Sequence, residues 1–302
     1  MKKLLLSLVA LTFLFSACNK EGVYTPKKKL STVYYQKAGN EQKDLYEELQ
    51  WDGNKLACRI SKGSVVDIYF DDVELVPTYE GKRIVRVDEK ISGEYVDYYY
   101  DGKLLTKLVY HSGDKTAEAS IEHKDGKISR VFFPAAKATG EDVTAKLMRA
   151  FVPQEQILAV QKVLKQNGKS LVGRAVEVVW TWNGDNVVKV SQSIFEDDGQ
   201  VLLCYESELT HDNNLNPYAV CWADFGSESQ IAQQSYGCTY FTLSKNNIVR
   251  IEHTNTIILP AMDPIIDQYV EEIAYEYDGK YPVKATRTEE GEVTHTLYYE
   301  YK

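Results

Sequence analysis

Long hydrophobic runs are almost absent from this 302-residue chain: only residues 4–15 form one, and nothing after Cys18 continues it. With the globular balance of the composition, that excludes a disordered polymer, a collagen and a polytopic membrane protein. There is no excess of positive charge either, with 35 Lys+Arg against 44 Asp+Glu, so no overall basic footprint for nucleic acid exists. The five histidines, His111, His123, His211, His253 and His295, are scattered without ligand spacing. No Cys-x-x-Cys, His-Glu-x-x-His, phosphate-binding loop, nucleophile elbow or dinucleotide fingerprint occurs, so the sequence names no catalytic residue, no metal site and no cofactor. What remains is the balance of a folded globular chain, 44% hydrophobic and 26% charged, with 22 Tyr against 9 Phe. That tyrosine excess suits half-exposed pleated surface.

The first residues carry an address. Met1-Lys2-Lys3 is a short positive start, Leu4 to Phe15 is apolar, and Ser16-Ala17 supplies small side chains. Twelve helical residues cannot cross roughly 30 Å of hydrocarbon, so residues 1–17 read as a secretory signal. Phe15-Ser16-Ala17-Cys18 resembles the lipobox of a bacterial lipoprotein, although Phe15 stands where leucine is usual. The resemblance implies cleavage before Cys18, acyl chains on its sulfur and new amino group, and stable membrane attachment. Asn19 in place of aspartate implies the outer membrane. The lone early acid Glu21 favours its periplasmic face over the cell surface. Residues 18–30, with Pro26 and Lys27-Lys28-Lys29, are expected to be the lipidated cysteine and a flexible tether.

One unit then recurs: an aromatic or polar residue, a turn, then an apolar residue and a base. It appears as Trp51-Asp52-Gly53-Asn54-Lys55-Leu56, Tyr79-Glu80-Gly81-Lys82-Arg83-Ile84-Val85-Arg86 and Tyr100-Asp101-Gly102-Lys103-Leu104-Leu105-Thr106-Lys107. Further copies are Lys124-Asp125-Gly126-Lys127-Ile128-Ser129-Arg130, Trp182-Asn183-Gly184-Asp185-Asn186-Val187-Val188-Lys189 and Tyr277-Asp278-Gly279-Lys280-Tyr281-Pro282-Val283-Lys284, with Lys245-Asn246-Asn247-Ile248-Val249-Arg250 degenerate. Asp-Gly and Asn-Gly accept the positive φ of tight hairpins, so each copy marks a tip. Ser92-Gly93, Ser112-Gly113, Asp198-Gly199 and Glu290-Gly291 mark turns at the opposite end. The base after each tip is expected on the solvated face, guarding an edge. In the last strand Leu297, Tyr299 and Tyr301 share one face and Thr296, Tyr298 and Glu300 the other.

This rhythm predicts an all-β fold, an antiparallel up-and-down meander with strands of seven to nine residues, interrupted by a small helical insertion. Pro153 opens a helix with Ile157, Val160, Val163 and Leu164 on one stripe, and Asn167-Gly168 closes it. A shorter helix is expected around Val143, Leu147 and Phe151, others at Ser227–Gln234 and from Asp263-Pro264. The expected organisation is a meander over 31–140, a helical insertion over 141–168 and a second meander over 169–302, continuous with the first. The hairpin units, with His211 to Tyr218, Leu243 to Asn247 and Tyr298-Tyr299-Glu300-Tyr301, resemble a class of Bacteroidetes-type envelope lipoproteins of unknown function, and more loosely the tyrosine–aspartate repeats of secreted bacterial proteins. The resemblance implies an envelope β protein and brings no catalytic residue.

Three clusters invite a functional reading. Asp212, Asn214 and Asn216 alternate like calcium ligands, but Pro217 and Ala223 break the pattern, so a loop satisfying its own backbone is the better expectation. Cys58, Cys204, Cys221 and Cys238 permit three full pairings or remain free thiols; with 201–209 and 218–225 as a hairpin, Cys204 and Cys221 would be out of register. Val178, Trp180 and Trp182 share a strand face. Trp180 and Trp182 either pack in the core or offer flat rings to a sugar. Three classes of function follow: a lipid-anchored, non-catalytic binding or interaction module with an envelope-protein partner, a carbohydrate-binding accessory protein meeting polysaccharide through Trp180 and Trp182, and last a hydrolase.

Overall fold

In a computed structural model the described residues are 28–53, 55–65, 72–81, 83–135, 174–196, 198–216, 243–258 and 263–302, with Met148, Lys162, Lys165 and Tyr218. They form sixteen strands: β1 (Leu30–Lys37), β2 (Asp44–Asp52), β3 (Lys55–Lys62), β4 (Asp72–Glu80), β5 (Arg83–Glu89), β6 (Tyr95–Asp101), β7 (Leu104–Ser112) and β8 (Lys115–Lys124). The second half contributes β9 (Lys127–Phe133), β10 (Ala175–Asn183), β11 (Asn186–Phe195), β12 (Val201–Leu215), β13 (Asn246–Ile257), β14 (Ile265–Asp278), β15 (Tyr281–Glu289) and β16 (Glu292–Tyr301). Every neighbour in sequence pairs antiparallel, and β1 pairs β16, so the sheet closes on itself as a barrel.

The meander is therefore correct as connectivity and incomplete as architecture. Closure comes from Val33 opposite Tyr299 and Tyr35 opposite Leu297, and from reciprocal backbone bonds between Lys29 and Lys302 at 2.7 and 2.9 Å. Lys28 and Lys29, expected in the tether, thus already belong to the described structure. Strands β12 and β14 run to 15 and 14 residues, longer than the turn spacing suggested. β12 pairs β13 rather than a 218–225 strand, and residues 265–278 are strand where a helix start was expected. The helices expected around 143–151, over 153–168 and at Ser227–Gln234 lie outside the described residues, save that Met148, Lys162 and Lys165 are described and helical.

All seven repeat units lie on one rim, and the physical reason for the unit is visible there. Just below each two-residue tip a bulge turns the aromatic inward, as between Gln50 and Trp51, Thr78 and Tyr79, Tyr99 and Tyr100, and Thr181 and Trp182. Three of these aromatics then donate to the carbonyl of the apolar residue in the preceding unit: Tyr79 to Leu56 at 2.9 Å, Tyr100 to Ile84 at 2.7 Å, Trp182 to Ile128 at 2.7 Å; Trp51 donates to the Leu30 carbonyl of β1 at 2.8 Å. The bases that end the units, such as Arg86, Lys107 and Lys189, do face outward, whereas those right at the tips do not simply face water. Lys55 lies over Tyr79, Arg83 over Tyr100 and Lys127 over Trp182, while Lys55 and Lys127 donate to the next tips' Gly81 and Gly184 carbonyls. With no sheet edge left to guard, these bases clasp one hairpin to the next.

Inward-facing residues make one buried apolar cluster that includes Leu30, Leu56, Ile84, Leu105, Phe133, Val178, Trp180 and Ile251. Met148 and Leu243, from the two long connections, belong to the same cluster, and Tyr218 packs on it. Sixteen-stranded membrane barrels ordinarily leave an aqueous channel; here the described inward side chains pack together as one buried cluster.

Candidate functional site

Buried polar groups interrupt this apolar interior in several places, two of which form charged clusters. On one wall Glu47 of β2 and Arg59 of β3 form a buried ion pair. Tyr218 lies edge-on to Tyr299 beside it, ring centroids 6.3 Å apart. Burial would lower the Arg59 guanidinium's proton affinity, but the Glu47 charge outweighs it and pushes the group further up.

The larger cluster spans β11 to β16. Register sets Val190, Ser207, His253 and Tyr269 side by side, and one inward rung below them Gln192, Tyr205, Asn255 and Asp267. Ser207 Oγ and His253 Nδ1 are 2.9 Å apart, His253 Nε2 lies 3.5 Å from Glu271 Oε1, and Arg287 pairs with the other Glu271 oxygen. His253 stacks on Tyr269 at 4.5 Å. Burial pushes the Glu271 carboxyl up, yet the His253 bond and the Arg287 charge more than offset it and hold it below its usual range. Behind Arg287, His295 stacks on Tyr35 at 5.1 Å, and burial, with Arg287, lowers its pKa to about 4.

A serine, a histidine and a carboxylate in line invite a hydrolytic reading. Chemistry speaks against it: Ser207, His253 and Glu271 are all buried, and the carboxylate is already committed to Arg287. A nucleophile needs a reachable carbonyl beside it. Sequence inspection missed this cluster because Ser207 and His253 are 46 positions apart and only the β12–β13 register joins them.

The residues singled out from sequence take other places. Trp180 is buried at 3% exposure and Trp182 half-buried, both facing inward with Val178. A surface platform for sugar needs open ring faces, which Trp180 lacks. Asp212 accepts from the backbone of Asn214 at 2.9 Å and of Asn247 at 3.2 Å, and from Tyr277. Asn216 accepts from the Tyr218 backbone at 3.0 Å and donates to the Ser244 carbonyl at 2.9 Å. The stretch expected as an asparagine loop is the end of β12, and its side chains do satisfy nearby backbone. Among the described residues no group of three or more His, Cys, Asp and Glu side chains is placed to hold a metal ion. Cys58 and Cys204 carry free thiols; Cys18, Cys221 and Cys238 lie outside the described residues.

The outward face is of another character. Cross-strand ion pairs circle it: Lys62–Asp72 at 3.1 Å, Arg86–Asp97 at 2.7 Å, Lys107–Glu118 at 3.8 Å, Arg130 with Glu122 and Glu177, Lys189–Glu206 at 2.8 Å, Arg250–Glu272 at 3.0 Å and Lys284–Glu276 at 2.7 Å.

Neither a protein-family model nor a curated protein sequence matches the chain. Among solved structures it is similar to a porin-like protein from Bacteroides vulgatus, with TM-score 0.51 and 11% identity, covering 91% of this chain and 99% of that one. A porin-like protein from Bacteroides uniformis follows at TM-score 0.47 and 8% identity, covering 90% and 98%. The first likeness shows the fold, a closed barrel in place of a long repeat sheet that offers surface. It overturns the expectation of a lipid-anchored binding or interaction module, and the carbohydrate-binding and hydrolase alternatives fit the barrel no better.

Proposed function

We propose that this chain is a barrel protein of the bacterial outer membrane that stands on the bilayer rather than across it, held by lipid on Cys18, and encloses a filled interior instead of conducting. The outward ion-pair belt carries the reading. A spanning barrel needs an apolar band about 25 Å tall, and each Lys or Arg at mid-bilayer costs about 2–4 kcal/mol. Here Lys107, Arg130, Lys189, Arg250 and Lys284 recur around the circumference with acidic partners. In water the same pairs are harmless and weakly favourable. The likeness to the Bacteroides vulgatus porin-like protein supports the outer membrane as its location. The lipobox-like Phe15-Ser16-Ala17-Cys18 supplies the attachment that the strands do not.

The test is made in a Gram-negative host. An alkyne palmitate analogue labels the natural chain and not Cys18→Ala, and alkaline carbonate releases Cys18→Ala from the membrane pellet as a folded β protein. Conductance steps in a planar bilayer, or Cys18→Ala retained in the pellet, would overturn the proposal.

A further inference from the structure

The two rims of the barrel carry opposite charge. We count the described residues from the last of one strand to the first of the next, with Lys28, Lys29 and Lys302 where the chain enters and leaves. The repeat-tip rim then has ten bases and six acids. By the same count the opposite rim has eight bases and twelve acids, in keeping with the 35 and 44 of the whole chain. The tip rim is thus a basic end on an acidic protein. Its bases are not all spent on clasping hairpins, since Lys103, Lys124 and Lys280 stand exposed at three separate tips. Beside Lys103, Leu104 is 37% and Tyr99 45% exposed. Bases with an open tyrosine ring among them suit the headgroup layer of a bilayer, where phosphate meets the cation and the ring lies at the boundary with the acyl chains.

The chain also enters the fold at this rim. The backbone of Lys28 donates to the Tyr281 hydroxyl at 3.2 Å, and its ammonium pairs with Asp278 at 3.0 Å, both at the β14–β15 tip. Lys28 is ten positions from Cys18, at most about 35 Å of extended chain. The opposite rim lies roughly 25 Å farther off, the height of tilted strands of this length. Lipid on Cys18 therefore brings the tip rim to the bilayer first.

We infer that the repeat-tip rim is a docking surface for anionic phospholipid headgroups, so that the barrel stands tips-down on the leaflet with its acidic rim turned away. Bases spread over separate tips around a ring match a plane of charges rather than one phosphate, and no pocket is needed. At physiological salt the attraction acts within about 8 Å, so only the rim against the leaflet feels it. The acids of the opposite rim are repelled by the same surface. The orientation rests on the attachment at Cys18 proposed above; the rim's attraction to headgroups does not.

The experiment uses the processed chain from Asn19, which keeps all sixteen strands and lacks only the lipidated Cys18. It sediments with vesicles of phosphatidylethanolamine and phosphatidylglycerol at low salt, is released by about 0.5 M sodium chloride, and does not sediment with phosphatidylcholine alone. Reversing Lys103→Glu, Lys124→Glu and Lys280→Glu together weakens the binding by about tenfold or more. Lys37→Glu, Lys43→Glu and Lys90→Glu make the same change of net charge on the opposite rim and leave the binding within about twofold. Should the tip reversal fail to fold, the same three positions as glutamine, which add no charge, are read in its place. The inference is overturned if the anionic vesicles bind nothing, if both triple variants lose equally, or if phosphatidylcholine binds as well and salt does not release it, which would point to the exposed Ile265 and Ile266 of the opposite rim. Carbonate-resistant retention of Cys18→Ala would sink the attachment and leave these results untouched.

Discussion

Lys55 stands 5.0 Å above the ring centroid of Tyr79 and donates 2.8 Å to the carbonyl of Gly81, so one hairpin tip is fastened to the next. The same relation joins Lys127 to Trp182 and Gly184, and Lys29 to Trp51 and Gly53. A partly exposed cation–π contact and one hydrogen bond together contribute about 1–2 kcal/mol. Lys55→Ala is expected to lower the urea midpoint by that amount. Lys103→Ala, exposed at its own tip, stays within about 0.5 kcal/mol. Equal effects of the two would remove the clasp from the account.

Gly102 closes its tip at φ 56° with open space where a Cβ would sit. The cost of a side chain there is backbone strain alone, so Gly102→Val loses about 1–3 kcal/mol and Gly102→Asn much less. Denaturant melts of the two variants check this. Equal losses would mean that crowding rather than φ sets the requirement.

Glu47 and Arg59 are buried together, so removing one partner strands a charge. Arg59→Met is expected to cost about 3–5 kcal/mol, and adding Glu47→Met to recover much of it. A double variant no more stable than the single would show that the pair is not coupled.

His295 and His211 are both held neutral by burial, with pKa lowered to about 4 from 6.5. A depressed folded pKa contributes stability above the unfolded value and loses it as pH falls toward the folded one, so the barrel weakens between about pH 6.5 and 4. His295→Phe keeps a ring against Tyr35 and removes the titration. Melting temperature against pH becomes flatter in that window for the variant, and an unchanged slope would clear His295 of the effect.

Much of this barrel is legible in the sequence because hairpins are local. Asp101-Gly102 and Asn183-Gly184 announce their turns through backbone chemistry, and alternation in 296–301 announces its faces. Closure is not local: nothing near Val33 or Tyr299 says that these two residues, 266 positions apart, meet. The role of the base was missed for the same reason, since Lys55 finds Tyr79 only once two hairpins stand side by side. Trp180 and Trp182 were correctly put on one face, but which face is inside depends on the direction of closure. The Ser207–His253–Glu271–Arg287 chain and the Gln192 rung below it depend on register across five strands. No motif spacing encodes them.

The central claim is that water, not lipid, surrounds the strands, and the most direct measurement is collisional accessibility of a nitroxide at an outward position in native membranes. Glu118, exposed and paired with Lys107 on β7, is suitable as Glu118→Cys, with the unsubstituted chain's own label signal subtracted. The account predicts fast relaxation by a water-soluble nickel chelate and little by oxygen, with the same result at Glu272→Cys on the far side. Relaxation dominated by oxygen at both positions would put the strands in the bilayer and contradict it.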